Sequence, residues 1–219
     1  AGGTIAGNKA YSGGGVYLLG NNSYTTTFNM SAGTIGKAGT SSDPVNAAAE
    51  STVGKHSNYA SSGAGIYAGA KTSVTITGGN IKYNYASSYG GALYWKGATL
   101  SVNKLGSTYG TLSYNRAVKG GAVYFDADGN LTQAMMNNNQ ADNMGGAIYI
   151  SGSKNVEING AMKINSNETI GSNSYTACGG GIYNAGNLTI SGSVQMQSNT
   201  ANGKSNNGWG GAIFNTSSL

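Results

Sequence analysis

The sequence has few of the residues that commonly cross-link a small domain, rigidify its loops or carry its chemistry. It has one cysteine, one proline and one histidine among 219 residues, and only 9% of its residues are charged. With Cys178 alone, an intramolecular disulfide is excluded. His56 is expected to be a solvated loop residue. A low charge density suits disordered linkers, but aliphatic residues recur here too regularly for disorder.

Positive charge is in excess but is not concentrated. The formal net charge is +5, yet the basic residues are scattered and include a single arginine, Arg116. No basic run is present, so neither a nucleic-acid partner nor binding to an anionic membrane surface is predicted. Apolar runs are short, with Ala147–Ile150 typical of the longest. No transmembrane segment is therefore predicted in this chain.

Glycine is abundant, at 38 residues, and much of it lies in one recurring motif. The glycine motif is Gly, then two residues that are each Gly or Ala, then a branched aliphatic residue, then Tyr or Phe. Its copies are Gly13–Tyr17, Gly63–Tyr67, Gly90–Tyr94, Gly120–Tyr124, Gly145–Tyr149, Gly179–Tyr183 and Gly210–Phe214. None is followed by Lys-Ser/Thr, so the motif is not a phosphate-binding loop.

Two further strand signals recur between copies of the glycine motif. The first is a short alternating apolar run, found at Phe28–Met30, Val74–Ile76, Leu100–Val102, Val156–Ile158 and Leu188–Ile190. The second is an aliphatic residue three positions before asparagine, found at Ile5/Asn8, Ile81/Asn84, Leu112/Asn115, Met136/Asn139, Met162/Asn165 and Met196/Asn199. Each repeat therefore has three short predicted strands joined by Gly, Asn and Ser corners.

Three strands in a repeat of ~25–35 residues, without a helix, favour the coils of a solenoid. A propeller blade needs four antiparallel strands, and only three are found in each repeat. The sequence therefore predicts an all-β fold, a parallel β-helix of about seven three-strand coils. It would form one domain over residues 1–219, a rod roughly 30–35 Å long.

Alternation along the glycine-motif strand predicts which side chains face the core. The aliphatic residue of the motif should point inward, together with the residue after the aromatic one. That following residue is Leu18, Ala68, Trp95, Phe125 or Ile150 in five copies. The intervening aromatic residues then point outward in a row and are the candidate binding residues: Tyr17, Tyr67, Tyr94, Tyr124, Tyr149, Tyr183 and Phe214.

Two interpretations of this aromatic row remain open. Its rings could offer flat faces to sugar rings or to another rod. Alternatively, they form a self-supporting stack that protects the sheet.

The recurring asparagines are interpreted as structural rather than as ligands. Asparagine tolerates left-handed backbone angles at corners, and stacked copies can form an amide ladder along the rod. This role is predicted for Asn84, Asn115, Asn139, Asn165 and Asn199.

Insertions concentrate between the third strand and the next glycine motif. A loop excursion is predicted at residues 38–62, with shorter corner loops at 168–178 and 200–209. Because loops on a rigid scaffold often carry recognition, these loops are a second candidate binding surface.

Signs of catalysis or metal binding are sparse. Asp126, Asp128 and Asn130 place oxygen side chains at alternate positions, as a calcium loop begins. The glycine falls at the fourth position rather than the sixth, and no Glu follows at the twelfth, so the three residues are only a weak calcium candidate. A polar corner turned by Gly129 is the simpler interpretation.

Polysaccharide-active enzymes also use β-helices, but they need clustered carboxylates, and the seven acids here are dispersed. Neither an enzyme nor a cofactor is predicted.

The glycine motif and the asparagine signal resemble the repeats of the chlamydial polymorphic outer-membrane proteins. Gly-Gly-Ala is kept at Gly90–Ala92, Gly120–Ala122, Gly145–Ala147 and Gly210–Ala212, whereas Ile, Leu or Met replaces Phe before the asparagine. The Gly-Gly-Gly-Ile-Tyr-Asn and Leu-Thr-Ile-Ser-Gly pattern is similar to adhesin-like proteins of anaerobic bacteria and methanogens. The resemblance covers nearly the whole chain and implies a right-handed β-helix at the cell surface or outside the cell.

The predicted function is thus a non-catalytic adhesin passenger or scaffold. Its expected partners are glycan or protein of a host or neighbouring cell, or further copies of itself. The alternative is a filament subunit stacking head to tail, because both ends of the sequence fall at nearly the same phase of the coil without a polar cap. The same observation is expected from a segment of a longer array.

Overall fold

The computed structural model describes residues 2–37, 57–171, 177–203 and 207–217. It is a right-handed parallel β-helix, and no helix occurs in those ranges, so the predicted fold is confirmed. Successive coils pair in register through parallel backbone hydrogen bonds. Four long parallel sheets result, one on each side of the rod. His56 and most of the predicted 38–62 loop lie outside the described residues.

The strands are numbered β1–β30 in chain order. The first sheet, carrying the glycine motif, contains β2 (Val16–Leu18), β6 (Ile66–Ala68), β10 (Leu93–Trp95), β16 (Val123–Phe125), β20 (Ile148–Ile150), β25 (Ile182–Asn184) and β30 (Ile213–Asn215). The second contains β3 (Thr26–Met30), β7 (Thr72–Ile76), β11 (Thr99–Val102), β17 (Gly129–Thr132), β21 (Asn155–Asn159) and β26 (Asn187–Ile190). The third contains β1 (Thr4–Ile5), β4 (Thr34–Gly36), β8 (Asn80–Lys82), β14 (Thr111–Ser113), β18 (Met135–Asn137), β22 (Lys163–Asn165) and β27 (Gln195–Gln197). The fourth contains β5 (Tyr59–Ser62), β9 (Tyr85–Tyr89), β15 (Arg116–Lys119), β19 (Gln140–Met144), β23 (Glu168–Thr169), β24 (Ala177–Cys178), β28 (Thr200–Ala201) and β29 (Gly208–Trp209). A short hairpin of β12 (Lys104–Leu105) and β13 (Thr108–Tyr109) lies between the second and third sheets.

Aliphatic and aromatic side chains from the first three sheets fill the interior of the rod. The inward positions predicted from alternation are confirmed: Leu18, Ala68, Trp95, Phe125 and Ile150 are all buried. Trp95 is paired with Ala68 in the preceding coil and with Phe125 in the following coil. The small Ala68 side chain leaves room for the large Trp95 ring. Burial of this apolar surface is the main stabilising contribution.

The fourth sheet was not anticipated from the sequence. Its strands lie between the asparagine and the next glycine motif, so the coils have a fourth strand in addition to the predicted three. Its inward residues include Ala60, Ala86 and Ala117, which are fully buried but small. The pairing register also shifts within this sheet, for example between Ala117 and Lys119. Small inward side chains and an interrupted alternation remove the usual sequence signal of a strand.

The insertions interrupt this fourth sheet. Tyr59–Ser62, within the predicted 38–62 excursion, is strand β5 and pairs with β9. Residues 170–176 separate β23 from β24, and residues 202–207 separate β28 from β29. The first and last residues of the predicted 168–178 and 200–209 loops are therefore paired strands and not loop.

An asparagine ladder runs along the corner between the third and fourth sheets. Its members are Asn8, Asn58, Asn84, Asn115, Asn139, Asn167 and Asn199. Each side-chain amide hydrogen-bonds to the Oδ1 of the next, and the interior members also donate to a backbone carbonyl of the preceding coil, as Asn115 Nδ2 does to Ile81 O at 2.9 Å. The predicted amide ladder is confirmed for four of its five residues.

Asn165 is not part of the asparagine ladder, so that assignment was wrong. It is paired with Asn137 and Gln197 on the outer side of the third sheet. Asn167, two residues later, takes the ladder position, and Ile164 rather than Met162 is the aliphatic residue in register with Met136 and Met196. Met162 resembles an inward strand residue because it too is buried, and its Sδ accepts a hydrogen bond from Ala134 N.

The left-handed backbone at this corner also lies one residue earlier than predicted. Positive φ occurs at the residue before the ladder asparagine, namely Tyr83, Tyr114, Asn138, Ser166 and Ser198, at φ values of 55–58°. That residue makes the sharp turn, and the asparagine that follows satisfies the backbone groups the turn leaves unpaired.

Candidate functional site

Seven aromatic residues stack along the outer side of the first sheet and form an aromatic ladder: Tyr17, Tyr67, Tyr94, Tyr124, Tyr149, Tyr183 and Phe214. In-register pairing of β2, β6, β10, β16, β20, β25 and β30 aligns them. Neighbouring ring centroids are 4.8–5.4 Å apart. The tyrosine rings are within 8° of parallel. The predicted outward row is thus a continuous stack.

The stacking decides which part of each ring is accessible. Every interior ring has a neighbouring ring against each of its two faces, so only its edge and hydroxyl can meet solvent. Tyr149 is 9% exposed, whereas Tyr17 at the first position is 52% exposed. The hypothesis that these rings offer flat faces to sugars is therefore wrong for the interior of the aromatic ladder. What the six tyrosines of the ladder present outward is a row of phenol hydroxyls.

A carboxylate and an ammonium group lie along one side of the aromatic ladder. The Tyr94 hydroxyl donates a hydrogen bond to Asp126 Oδ2 at 2.8 Å, and Lys96 Nζ lies 3.5 Å from the same oxygen. Burial raises the pKa of Tyr94 well above its ordinary value, and the hydrogen bond to Asp126 raises it further. Burial likewise raises the pKa of Tyr67, Tyr124 and Tyr149. These phenols are neutral at physiological pH.

Tyr89 and Lys119 flank the other side of the aromatic ladder. Tyr89 is the last residue of β9, and its ring lies 4.8 Å from the Tyr124 ring at a tilt of 40°. Lys119, next to it in the fourth sheet, places its Nζ 5.2 Å from the centre of the Tyr149 ring. Tyr89 belongs to none of the three recurring sequence patterns. Its position immediately before Gly90 was the available signal, but it became meaningful only once the fourth strand was known.

The three weak calcium candidates are engaged by different partners. Asp126 accepts from Tyr94, as described above. Asp128 accepts hydrogen bonds from Asn155 N at 2.7 Å and Asn155 Nδ2 at 3.1 Å, which lower the pKa of that carboxyl. Asn130 donates to Glu157 Oε2 at 3.2 Å and accepts from the Thr132 hydroxyl. In the described ranges, no cluster of three or more His, Cys, Asp or Glu side chains could hold a metal ion.

The remaining acidic residues in the described ranges are also dispersed. Arg116 donates to Asp142 Oδ1 from both Nε, at 3.0 Å, and Nη2, at 2.8 Å, in a partly buried pair on the fourth sheet. Glu157 accepts from Asn159 Nδ2, and Glu168 lies within 3.4 Å of Gln140 Nε2. In the part of the chain that the structure describes, no helix is long and apolar enough to cross a membrane.

A serine at an interior position of the aromatic ladder should weaken the fold more than one at its first position. Tyr124 stacks on Tyr94 and Tyr149 and also contacts the tilted Tyr89 ring, so Tyr124→Ser removes three ring contacts and should lower the free energy of unfolding by about 2 kcal/mol. Tyr17 stacks only on Tyr67, and Tyr17→Ser should cost less than about 1 kcal/mol. Urea denaturation of the two variants measures both values. Equal losses would contradict a stabilising role for the stack.

The raised tyrosine pKa values make the fold sensitive to alkali. Up to about pH 10, the ordinary tyrosine pKa, both folded and unfolded chains keep their phenol protons and the stabilisation is complete. Above that pH the unfolded chain loses protons first, so the free energy of unfolding should fall as pH rises towards the folded-state pKa. Tyr94→Phe removes one of these groups, so the free energy of unfolding of this variant should fall less steeply with pH. Urea denaturation at a series of alkaline pH values tests it, and an unchanged slope would contradict the assignment.

Comparison with known proteins supports the repeat resemblance. Residues 135–151, which span β18 to β20, match the Chlamydia polymorphic membrane protein (Chlamydia_PMP) repeat. No curated protein and no solved structure matched the chain. The matched stretch contains ladder residue Asn139 and the glycine motif Gly145–Tyr149, the two elements that make one corner and one face of a coil. This one stretch of the chain is therefore similar to the repeats of the chlamydial polymorphic membrane proteins.

Proposed function

We propose that this chain forms a non-catalytic β-helix displayed at the cell surface, where it acts as an adhesin-like scaffold that binds glycan or protein. The match to a chlamydial membrane-protein repeat supports the surface location. The asparagine ladder and in-register sheets give a rigid support with little need of disulfides. Such a support suits the presentation of binding groups along its length.

The observation that carries the proposal is that the insertions and the aromatic ladder belong to two neighbouring sheets of the rod. Two insertions interrupt the fourth sheet, and the aromatic ladder lies on the first sheet, which the chain enters directly after the fourth. The second sheet, by contrast, presents a regular outer row of small polar residues such as Thr75, Ser101 and Asn130. The strands that flank the two insertions and the edge of the aromatic ladder therefore lie on neighbouring sheets of the rod.

The non-catalytic part of the proposal is supported by the engagement of the described acids. Asp126, Asp128 and Asp142 each hold a separate hydrogen-bonding or ionic partner on different strands or corners. A general acid and base for glycoside cleavage would need two carboxyl groups facing one site. Release of new reducing ends or unsaturated sugars from polysaccharides by the purified chain would overturn this part.

The contribution of the insertions to binding is tested by replacing them. Residues 38–56, 172–176 and 204–206 are replaced by short Gly-Ser linkers, while Asn58 and β5 are kept because they belong to the scaffold. The variant should retain its β circular dichroism and its unfolding midpoint, whereas adhesion of coated beads to epithelial and bacterial cells should fall about 10-fold or more, as expected when central contacts are lost. A second variant, Lys119→Ala with Lys96→Ala, tests the flanks of the aromatic ladder.

If both variants adhere like the wild type, the proposed surface is wrong. If the wild-type chain does not adhere to any cell type, the adhesin-like function is wrong.

Head-to-tail assembly into a filament stays a second prediction. Each sheet grows by parallel backbone pairing of one coil on the next, and exposed strand edges can recruit another copy in the same way. Light scattering on the purified 219 residues distinguishes the outcomes. A monodisperse monomer at high concentration would exclude the filament, and long unbranched fibres would support it.

A further inference from the structure

Tyr89 differs from the aromatic ladder in the accessibility of its ring. The interior rings of the ladder are covered on both faces by their neighbours. Tyr89 touches the ladder only from the side, at tilts of 40° and 42°, and is 38% exposed. It therefore keeps one ring face that the ladder does not cover.

The neighbours of Tyr89 in the fourth sheet leave space on one side of that ring. Ser12, Ser62, Tyr89 and Lys119 occupy equivalent positions in four successive coils. The Tyr89 ring leans towards the following coil, because its centroid is 4.8 Å from Tyr124 but 6.4 Å from Tyr94 of its own coil. Lys119 leans the same way, towards Tyr149. The side of Tyr89 that faces Ser62 is thus bordered by two small serines, and this region is called the serine shelf.

The serine shelf is bordered by hydroxyl groups and has little net charge. Ser12 and Ser62 form its floor. Tyr67 occupies the same position relative to Ser62 as Tyr94 does to Tyr89, whose rings are 6.4 Å apart, so the edge of the Tyr67 phenol borders the shelf. The Tyr67 phenol is protonated at neutral pH, as an ordinary tyrosine is, so it can donate a hydrogen bond, and burial raises its pKa further. Across the aromatic ladder, the charge of Lys96 is paired with Asp126. Lys119 Nζ lies 5.2 Å from the centre of the Tyr149 ring, away from the serine shelf.

We infer that the serine shelf with Tyr89 is a subsite for one neutral pyranose unit of a glycan chain, which stacks on Tyr89 and hydrogen-bonds to the serine and phenol hydroxyls. This inference rests on the proposed function and names its ligand class. A pyranose has an apolar face of C–H groups and a rim of hydroxyls, which matches one exposed aromatic face beside several hydroxyls. A peptide side chain would instead need a deeper apolar pocket to bury its surface.

Four substitutions test the subsite with matched controls. Tyr89→Ala removes the ring, Tyr89→Phe keeps it without the hydroxyl, and Ser62→Leu fills the serine shelf. Tyr24→Ala removes a 60% exposed tyrosine that lies between the first and second sheets, away from the fourth. The probes are cellohexaose, mannohexaose and chitohexaose, with an oligogalacturonate as the anionic comparison. Binding is measured by saturation-transfer difference NMR and titration calorimetry, and thermal unfolding confirms that each variant is folded.

At least one neutral hexasaccharide should bind the wild-type chain. Tyr89→Ala and Ser62→Leu should weaken that binding about 10-fold or more, Tyr89→Phe by less than about 3-fold, and Tyr24→Ala not measurably, because only the first two remove the stacking surface or its access. The strongest saturation transfer should reach the C–H groups of one sugar face.

Several outcomes would overturn the subsite. These are preferential binding of oligogalacturonate, equal binding by Tyr89→Ala and the wild type, or no binding of a neutral hexasaccharide. If cell adhesion of the wild type survives any of these results, the proposed adhesin-like function stands and only the subsite fails. Loss of Tyr89→Ala binding through unfolding is detected by its melting curve, and Ser62→Leu, a change at a half-buried position that removes no ring, then decides the question.

Discussion

Replacing Asn167 with alanine is expected to lower the free energy of unfolding by about 3 to 5 kcal/mol, whereas Asn165→Ala should cost less than about 1 kcal/mol. The Asn167 side chain accepts from Asn139 N at 2.9 Å and Asn139 Nδ2 at 3.0 Å. It also donates to Met136 O at 2.8 Å and Asn199 Oδ1 at 2.9 Å. Alanine would leave several of these buried partners without hydrogen bonds.

Asn165 is the matched control because it lies two residues away in the same coil. Its Oδ1 accepts a hydrogen bond from Gln197 N at 3.0 Å, on the exposed side of the third sheet. Water can replace that contact when the side chain is removed. Urea denaturation of both variants gives the comparison. Similar losses, or a larger loss for Asn165→Ala, would contradict the position of the asparagine ladder in this coil.

Trp95→Ala is expected to cost about 4 kcal/mol and could prevent folding at elevated temperature. Trp95 is fully buried between Ala68 and Phe125, and its Nε1 donates to Asp128 O at 2.8 Å. The space around the ring is shaped by glycine, since a Cβ at Gly97 would lie 2.4 Å from the Trp95 ring. Alanine would leave a large cavity that these coils cannot fill, because their backbones are paired above and below.

Two comparisons make the Trp95 experiment specific. Trp95→Phe retains a ring but loses the hydrogen bond to Asp128, so its cost should be about half that of Trp95→Ala. Lys96→Ala, at the adjacent and mostly exposed residue, should cost less than about 1 kcal/mol. Calorimetric unfolding midpoints rank the three variants. A Lys96→Ala loss as large as that of Trp95→Ala would reverse the assignment of inward and outward faces.

The sequence by itself determined the parallel β-helix, the outward aromatic row and the inward positions of Trp95 and Phe125. These follow from short-range patterns that recur in every coil. An alternating strand shows its buried side directly, and a motif repeated seven times must occupy the same place in each coil if the coils are to stack.

The tertiary structure decided the features that depend on contacts between coils. Asn58 belongs to the asparagine ladder, but residues 38–56 separate it from Ile35, so no spacing rule could find it. Asn165 and Asn167 both fit an aliphatic-x-x-Asn pattern, and only pairing with Asn139 distinguishes them. The fourth sheet has inward alanines and a shifted register, which give no clear alternation. The covered faces of the aromatic ladder likewise follow from ring orientation, which is set by the stacking of one coil on the next and is not written in any single repeat.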